Sequence, residues 1–307
     1  MTERIKINTL PSRTWHFLGV NEAEIEWDGN AEKLSAHEFT ASGGRSEQAG
    51  ISAAGNDGYS EEKMILRAEE NSALTVFMHL GGAGKLAVRT ELDIKKNAKI
   101  RLVQFLNTKD GGMIYNSVSG RAAENGSAEL IRIIVGGGDV YADDRIDLIG
   151  NGGSFRNDIG YLAQKKQKLD MNLVVNHFGQ KTSCEIKADG ALKDSAEKIF
   201  RGTIDFRNGS SDSTGDELET VLMLGENAVN KTVPVILCAE ENVQGNHGAT
   251  IGELDEATLF YLESRGICRE NAENMMARAA VERVAKLADN EELTAAVENE
   301  LREALGD

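Results

Sequence analysis

The stretch Leu86-Ala87-Val88-Arg89-Thr90-Glu91-Leu92-Asp93-Ile94, followed by Lys95-Lys96-Asn97-Ala98-Lys99-Ile100, decides how this chain is read. Leu86, Val88, Leu92 and Ile94 share one face of an extended segment, and Arg89, Glu91 and Asp93 share the other. That is the period-2 signature of a strand with one buried and one wet side. Asn97 then opens the next strand-like run, and the device recurs. Asn71-Ser72-Ala73-Leu74, Asn125-Gly126-Ser127-Ala128 and Asn151-Gly152-Gly153-Ser154 open others, with successive asparagines 26, 28 and 26 residues apart. Asn176 follows 25 residues later and Asn208 less regularly. Leu169, Met171, Leu173 and Val175 repeat the alternation, as do Phe200, Gly202, Ile204 and Phe206. Two strands and two turns in a unit of near-constant length describe a coil of β-structure stacked rung on rung. Asn and Gly suit its corners because both tolerate φ > 0. A β-sandwich is the rival, with similar turns but no reason for the regular interval.

Outward from this repeat the chain changes character twice. Residues 1–60 read as an irregular N-terminal region. Within it, Thr14-Trp15-His16-Phe17-Leu18 and Ile25-Glu26-Trp27 form short ordered pieces, and the Gly/Ser/Asn-rich residues 41–59 form a mobile loop. Residues 61–251 form the coiled β-core. From residue 252 to 307 the period shifts to 3.6 and the chain reads as helix. Asp255 caps a first helix that runs to Ser264 and stops at Gly266. Ala272, Met275, Met276, Ala279, Ala280, Val284 and Leu287 trace a second stripe. Asn290 caps a last helix carrying Leu293, Val297, Leu301 and Leu305. Residues 253–307 hold 14 acidic and 6 basic side chains. Such an acidic bundle is either a docking element or a cap on the open end of the coil.

The chain has 307 residues and a net charge of −16, which opposes general binding to nucleic acid or to an anionic membrane surface. Cys184, Cys238 and Cys268 are odd in number and widely spaced, which fits a reducing cytoplasm rather than a disulfide framework. The charged N-terminus is no signal peptide and no run reaches the length of a membrane span, so a cytoplasmic location is expected.

Catalytic motifs are absent: no GxxxxGK[ST], HExxH or GxSxG occurs. The expectation is a protein that is not an enzyme. Cys184 shares a face with Ile186 and reads as a small buried hydrophobe. Asp143-Asp144-Arg145 and Asp147 could pass for the outer-face cluster of a β-helix carbohydrate-active lyase or hydrolase. His247 is the more distinctive residue. It stands among Asn246, Gly248 and Ala249 where the period changes from 2 to 3.6, so another chain can approach it closely.

The residues around it carry a resemblance. Val233-Pro234-Val235-Ile236, Glu240-Glu241-Asn242-Val243, His247 through Glu256, and Leu259-Phe260-Tyr261-Leu262-Glu263-Ser264-Arg265-Gly266-Ile267 resemble the C-terminal signature of the SufB/SufD family. Asn176 through Ser183, Gly190 through Asp194 and Phe200 through Ile204 extend it upstream, so that it covers residues 170–290. The resemblance implies a right-handed parallel β-helix with a C-terminal α-helical subdomain, acting as a scaffold in iron–sulfur cluster assembly. It also implies pairing through the β-helix with a SufB-like paralogue or a second copy, and docking of the C-terminal helices on SufC, an ABC-type ATPase.

On this basis His247 is expected to hold a transient iron–sulfur cluster at the subunit interface, with Asn246 and Glu241 beside it. Asp255, Phe260, Tyr261, Arg265 and Gly266 are expected to meet the ATPase. Two departures place the chain closer to SufD than to SufB. The carboxylates that flank this histidine in SufB are replaced by Asn246 and Gly248, and the SufB scaffold cysteine falls near Ala228. The cysteine that SufD members often carry before the histidine falls on Gly245. A stand-alone adaptor homodimer is the remaining alternative.

Overall fold

The structure is a computed structural model. It describes residues 2–14, 16–55 and 58–306, with side chains for these apart from residues 33–35, 46–48 and 51–55. Trp15, expected in a short ordered piece, and Asn56 and Asp57, expected in a mobile loop, lie outside the described residues.

Among the described residues, sixteen strands wind into a parallel β-solenoid with two strands per coil. One eight-stranded sheet contains β3 (Glu32–Ala41), β5 (Tyr59–Ala68), β7 (Lys85–Ile94), β9 (Met113–Ala122), β11 (Asp139–Leu148), β13 (Lys168–His177), β15 (Glu197–Phe206) and β17 (Val229–Cys238). The facing sheet contains β4 (Ser46–Gly55), β6 (Ala73–Gly82), β8 (Lys99–Thr108), β10 (Ser127–Val135), β12 (Ser154–Ala163), β14 (Ser183–Leu192), β16 (Ser213–Met223) and β18 (Val243–Gly252). Each strand hydrogen-bonds to the strand one coil away, so like positions stack in columns along the lumen. Leu102, for example, lies between Val76 and Leu130. These columns form one apolar core. Fully burying a Leu or Val side chain contributes about 1.5–3 kcal/mol, and Leu86, Val88, Leu92 and Ile94 all face inward as their alternation predicts.

The corners follow the asparagine reading for three coils and then depart from it. Asn71, Asn97 and Asn125 adopt φ of 59°, 53° and 52°. Their side chains form a ladder, with Asn97 Nδ2 donating to Asn71 Oδ1 and Asn125 Nδ2 donating to Asn97 Oδ1, each at 3.1 Å. In the next coil the left-handed position is Gly152 (φ 69°) rather than Asn151. A Cβ there would fall 2.5 Å from Asn125 Oδ1, so a larger residue would displace the end of the ladder. Asn176 is no corner; it lies within β13 and donates to Asp147 Oδ1 at 2.6 Å. Lys181 and Asp212 take the corners there (φ 57° and 61°).

The expectation of an irregular residue 1–60 region, with a mobile loop over 41–59, is corrected. β3 and β4 are solenoid strands within it, paired in register with β5 and β6. Their alternation is weak, and they gain their order from a neighbouring coil on which to add. Further upstream, β1 (Thr2–Ile7) and β2 (Ala23–Asp28) form an antiparallel hairpin. Ile7, Ile25 and Trp27 pack on Ala87, Met113 and Tyr115 at the outer face of the β3–β17 sheet. Asn8 Nδ2 donates to the Asp170 carbonyl at 2.9 Å. Asp170 pairs with the buried Arg201, which in turn bonds the Val20 carbonyl.

The helices cover the outer face of the opposite sheet. They are α1 (Glu256–Ser264), α2 (Arg269–Leu287) and α3 (Glu291–Leu305). α2 lies across β10, β12 and β14, and α3 across β8 and β10. The reading of this bundle as a cap on the end of the coil is therefore corrected. The end stays uncovered while Ile131, Ile133 and Leu162 are buried beneath Val281, Val284, Val297 and Leu301. Gly160 permits the close approach, since a Cβ on it would lie 2.8 Å from Val284 Cβ. The α3 stripe is as read, with Leu293, Val297, Leu301 and Leu305 buried. The α2 stripe is rotated. Ala272, Ala277, Val281, Val284 and Ala285 are buried, whereas Met275, Met276 and Leu287 are exposed. A sheet roofed by a close helix takes small residues, so the larger methionines turn to solvent. Among the described residues no helix is long and apolar enough to cross a membrane.

Candidate functional site at the open end of the solenoid

β17 and β18 close the last coil and pair on one side only, with β15 and β16. Their outer edges are unpaired backbone, a template for another chain. Pro234 on β17 removes one donor from that edge.

His247 stands on β18 opposite Glu217 of β16, and is exposed. Its side of the strand follows from its neighbours. A Cβ on Gly245, two residues earlier, would lie 3.0 Å from Ile236 and 3.1 Å from Phe206, both lumenal residues. His247 is therefore the top of a lumenal column that runs Val76, Leu102, Leu130, Asn157, Ile186, Glu217, His247. Asn246 faces outward and donates to Asp216 Oδ1 at 2.8 Å. Glu241 lies exposed in the loop between β17 and β18, its amide donating to Glu240 Oε1 at 3.0 Å. All three are thus on the terminal coil.

The other expected interface residues belong to a second patch. Asp255 caps α1 by accepting from the Thr258 amide at 2.8 Å and from the Thr258 hydroxyl at 2.6 Å. These bonds hold its carboxyl below the usual range. Phe260 and Tyr261 are 73% and 54% exposed, large for aromatic side chains, and the Arg265 guanidinium lies 5.0 Å from the Tyr261 ring centroid. Gly266 ends the helix at φ 86°. α1 packs on α2, so this patch belongs to the helical region.

The polar residues behind His247 were not foreseen. Lys198, Glu217 and Glu219 face the lumen of the last coils and are 0%, 4% and 1% exposed. Lys198 Nζ pairs with Glu219 Oε1, and Thr232 Oγ1 donates to Glu219 Oε2 at 2.5 Å. Burial pulls the Lys198 ammonium down to about 7, opposed by the Glu217 carboxylate. Burial pushes Glu217 up to about 7, opposed by Lys198. In the run Asp216-Glu217-Leu218-Glu219 the apolar residue is the outward one, with Leu218 48% exposed. The available signal was register: Ile186 and Ala188 one coil earlier are lumenal and pair with Glu217 and Glu219.

One coil deeper, His177 is fully buried, with Nδ1 2.7 Å from Thr182 Oγ1 and Nε2 3.4 Å from Cys184 Sγ. Burial lowers His177 to about 4 and raises the Cys184 thiol, so the pair is neutral and the thiol inert, in keeping with its reading as a buried hydrophobe. Cys238 and Cys268 are exposed. The acidic run considered for carbohydrate chemistry is divided by strand alternation. Asp144 points inward onto Arg132 at 2.6 Å, while Arg145 is exposed beside Asp147 on the outer face.

Sequence comparison places this architecture. The family model described as SUF system FeS cluster assembly, SufBD core domain, matches residues 51–280. The chain belongs to the SufBD family. It is 30% identical over 183 residues to the iron-sulfur cluster assembly protein SufD of Bacillus subtilis, covering 59% of this chain and 41% of that protein. It is 27% identical over 249 residues to an iron-sulfur cluster assembly SufBD family protein of Mycobacterium tuberculosis, covering 77% and 62%. A SufBD family protein of Staphylococcus saprophyticus matches at 27% over 195 residues, covering 62% and 41%. The matched part of the chain thus spans between two fifths and about three fifths of the length of these relatives. The resemblance read from residues 170–290 is borne out at the level of the family.

Among the described residues no three His, Cys, Asp or Glu side chains lie close enough together to hold a metal ion. His247 is open at the mouth, and Glu217 Oε2 behind it is buried without a hydrogen-bond partner.

Proposed function

We propose that this SufBD chain is a SufD-like, non-enzymatic scaffold subunit of a cytoplasmic SufBCD-type assembly, handling an iron–sulfur cluster as transient cargo. One observation carries the reading: the terminal coil leaves both strand edges unpaired and presents His247 at the same open end. Strand edges dock by adding strands, so a SufB-like paralogue or a second copy meets the chain here and brings its own ligands to His247. Iron–sulfur clusters favour thiolate donors. The partner is the source of those, because Gly245 and Ala228 stand where this family's cysteines are expected. Phe260 and Tyr261, with Met275 and Met276 on the adjoining helix, supply an apolar surface for a SufC-like ATPase, rimmed by Arg265.

The reading is tested by co-expressing the chain with a SufB paralogue and an ABC ATPase from the same genome. Copurification of all three, and loss of the cluster absorption and electron paramagnetic resonance signals in the His247→Ala complex without loss of assembly, are the expected results. A His247→Ala complex that forms the cluster in normal yield overturns the role of His247. Light scattering of the chain alone separates pairing with a paralogue from self-pairing.

A further inference from the structure

Glu217 is a carboxylate of the last two coils whose burial is offset only in part, by the charge of Lys198. It is 4% exposed, and its Oε2 has no hydrogen-bond partner. Lys198, the cation facing it from β15, is paired with Glu219, and Thr232 on β17 also serves Glu219. Its carboxylate rests over Gly202, where a Cβ would fall 2.2 Å from Oε2. The three heavy atoms nearest that Cβ position all belong to the Glu217 carboxylate, so the glycine makes the room the carboxylate occupies.

In the outward direction the register neighbour of Glu217 is His247. The two are register partners on adjacent parallel strands, so their Cα atoms are about 4.8 Å apart and their side chains leave the sheet on the same face. We propose that Glu217 is a second cation ligand concealed behind His247. A divalent transition-metal ion entering the mouth takes the imidazole of His247 and the free Oε2 of Glu217. Water or a second chain fills its remaining positions. One imidazole with one carboxylate suits first-row divalent ions and disfavours alkali ions, which want a shell of hard oxygens. The proposal rests on the reading of His247 as a ligand and adds the donor that holds the ion before any partner arrives.

The test uses the full-length chain and cobalt(II) alone, under anaerobic conditions at neutral pH. The readouts are isothermal titration and the visible ligand-field bands. The wild type is expected to bind one ion. Glu217→Gln and Gly202→Ala are each expected to weaken binding about tenfold or more. The second variant keeps every ligand atom and only displaces the carboxylate. Glu226→Gln, which removes an exposed acid in the turn leading into β17, should bind as the wild type does. Circular dichroism melts establish that each variant is folded. If His247→Ala weakens binding while Glu217→Gln and Gly202→Ala match the wild type, the Glu217 assignment falls and the reading of His247 stands. If His247→Ala binds as the wild type does, the reading of His247 falls with it. Equal loss in Glu226→Gln overturns the site in favour of diffuse attraction to an acidic surface.

Discussion

Two of the clusters of ionisable side chains in the lumen, one mid-solenoid and one at the mouth, are built differently. In the middle, the Arg132 guanidinium donates to Asp144 at 2.6 and 3.0 Å and to Gln104 Oε1 at 3.0 and 2.9 Å. Asn116 donates to Gln104 Oε1 at 2.8 Å. A coil sealed by neighbours above and below must satisfy a buried charge from its own strands, and this one does. At the mouth the Lys198–Glu219–Thr232 chain is closed in the same way, but Glu217 Oε2 and His247 are left open. A terminal coil can borrow a partner from whatever docks on it. An unpaired lumenal group there marks a binding surface, whereas the same group mid-solenoid is a cost to stability.

The sharpest way to break this comparison is to remove one partner from each cluster. Asp144→Ala leaves Arg132 buried and unpaired and is expected to cost about 3–5 kcal/mol in denaturant unfolding. Glu217→Gln removes a charge that has no hydrogen-bond partner at its free oxygen and should change stability by under about 1 kcal/mol. Equal costs at the two sites would dissolve the distinction between a sealed coil and an open one.

His177 tests the depth at which the lumen becomes dry. Burial holds its folded pKa at about 4 against an ordinary 6.5. As pH falls through that interval the unfolded chain takes up a proton and the folded chain does not. Its contribution is therefore present above pH 6.5 and is lost towards pH 4, by about 3 kcal/mol at the acid end. His177→Gln should flatten that part of the stability profile relative to the wild type. An unchanged slope would mean that water reaches this coil.

A modest gain is expected at Asn157, in the same column as Glu217 but sealed between Leu130 and Ile186. Both of its amide atoms are buried without a partner. Asn157→Leu should stabilise the chain by about 1–2 kcal/mol. A loss of stability instead would place ordered water in the lumen and extend the open character of the mouth inward.

Much of this was legible from the sequence, residue by residue. The Leu86–Ile94 alternation revealed a half-buried strand, and the spaced asparagines revealed the coil. Asp255, Gly266 and Asn290 marked helix ends that the structure places as read. His247 stood out through the change of period beside it. The failures share a cause. β3 and β4 lack strong alternation of their own, the α2 stripe follows helical period without the sheet beneath it, and nothing within the 216–219 run marks Glu217 and Glu219 as the inward residues. In each case a neighbouring element sets which face is inside, and a neighbour one coil away in space lies about 30 residues away in the chain.

By itself the sequence determined the coil repeat, the helical C-terminus and the family, because corner geometry and side-chain periodicity are local and leave their mark at fixed intervals. Only the tertiary structure decided that the helices roof one sheet and leave the end open, and that a lysine and two glutamates turn into the lumen. Those outcomes depend on register between coils, where backbone pairing carries a polar side chain inward whenever the strand beneath it already faces that way.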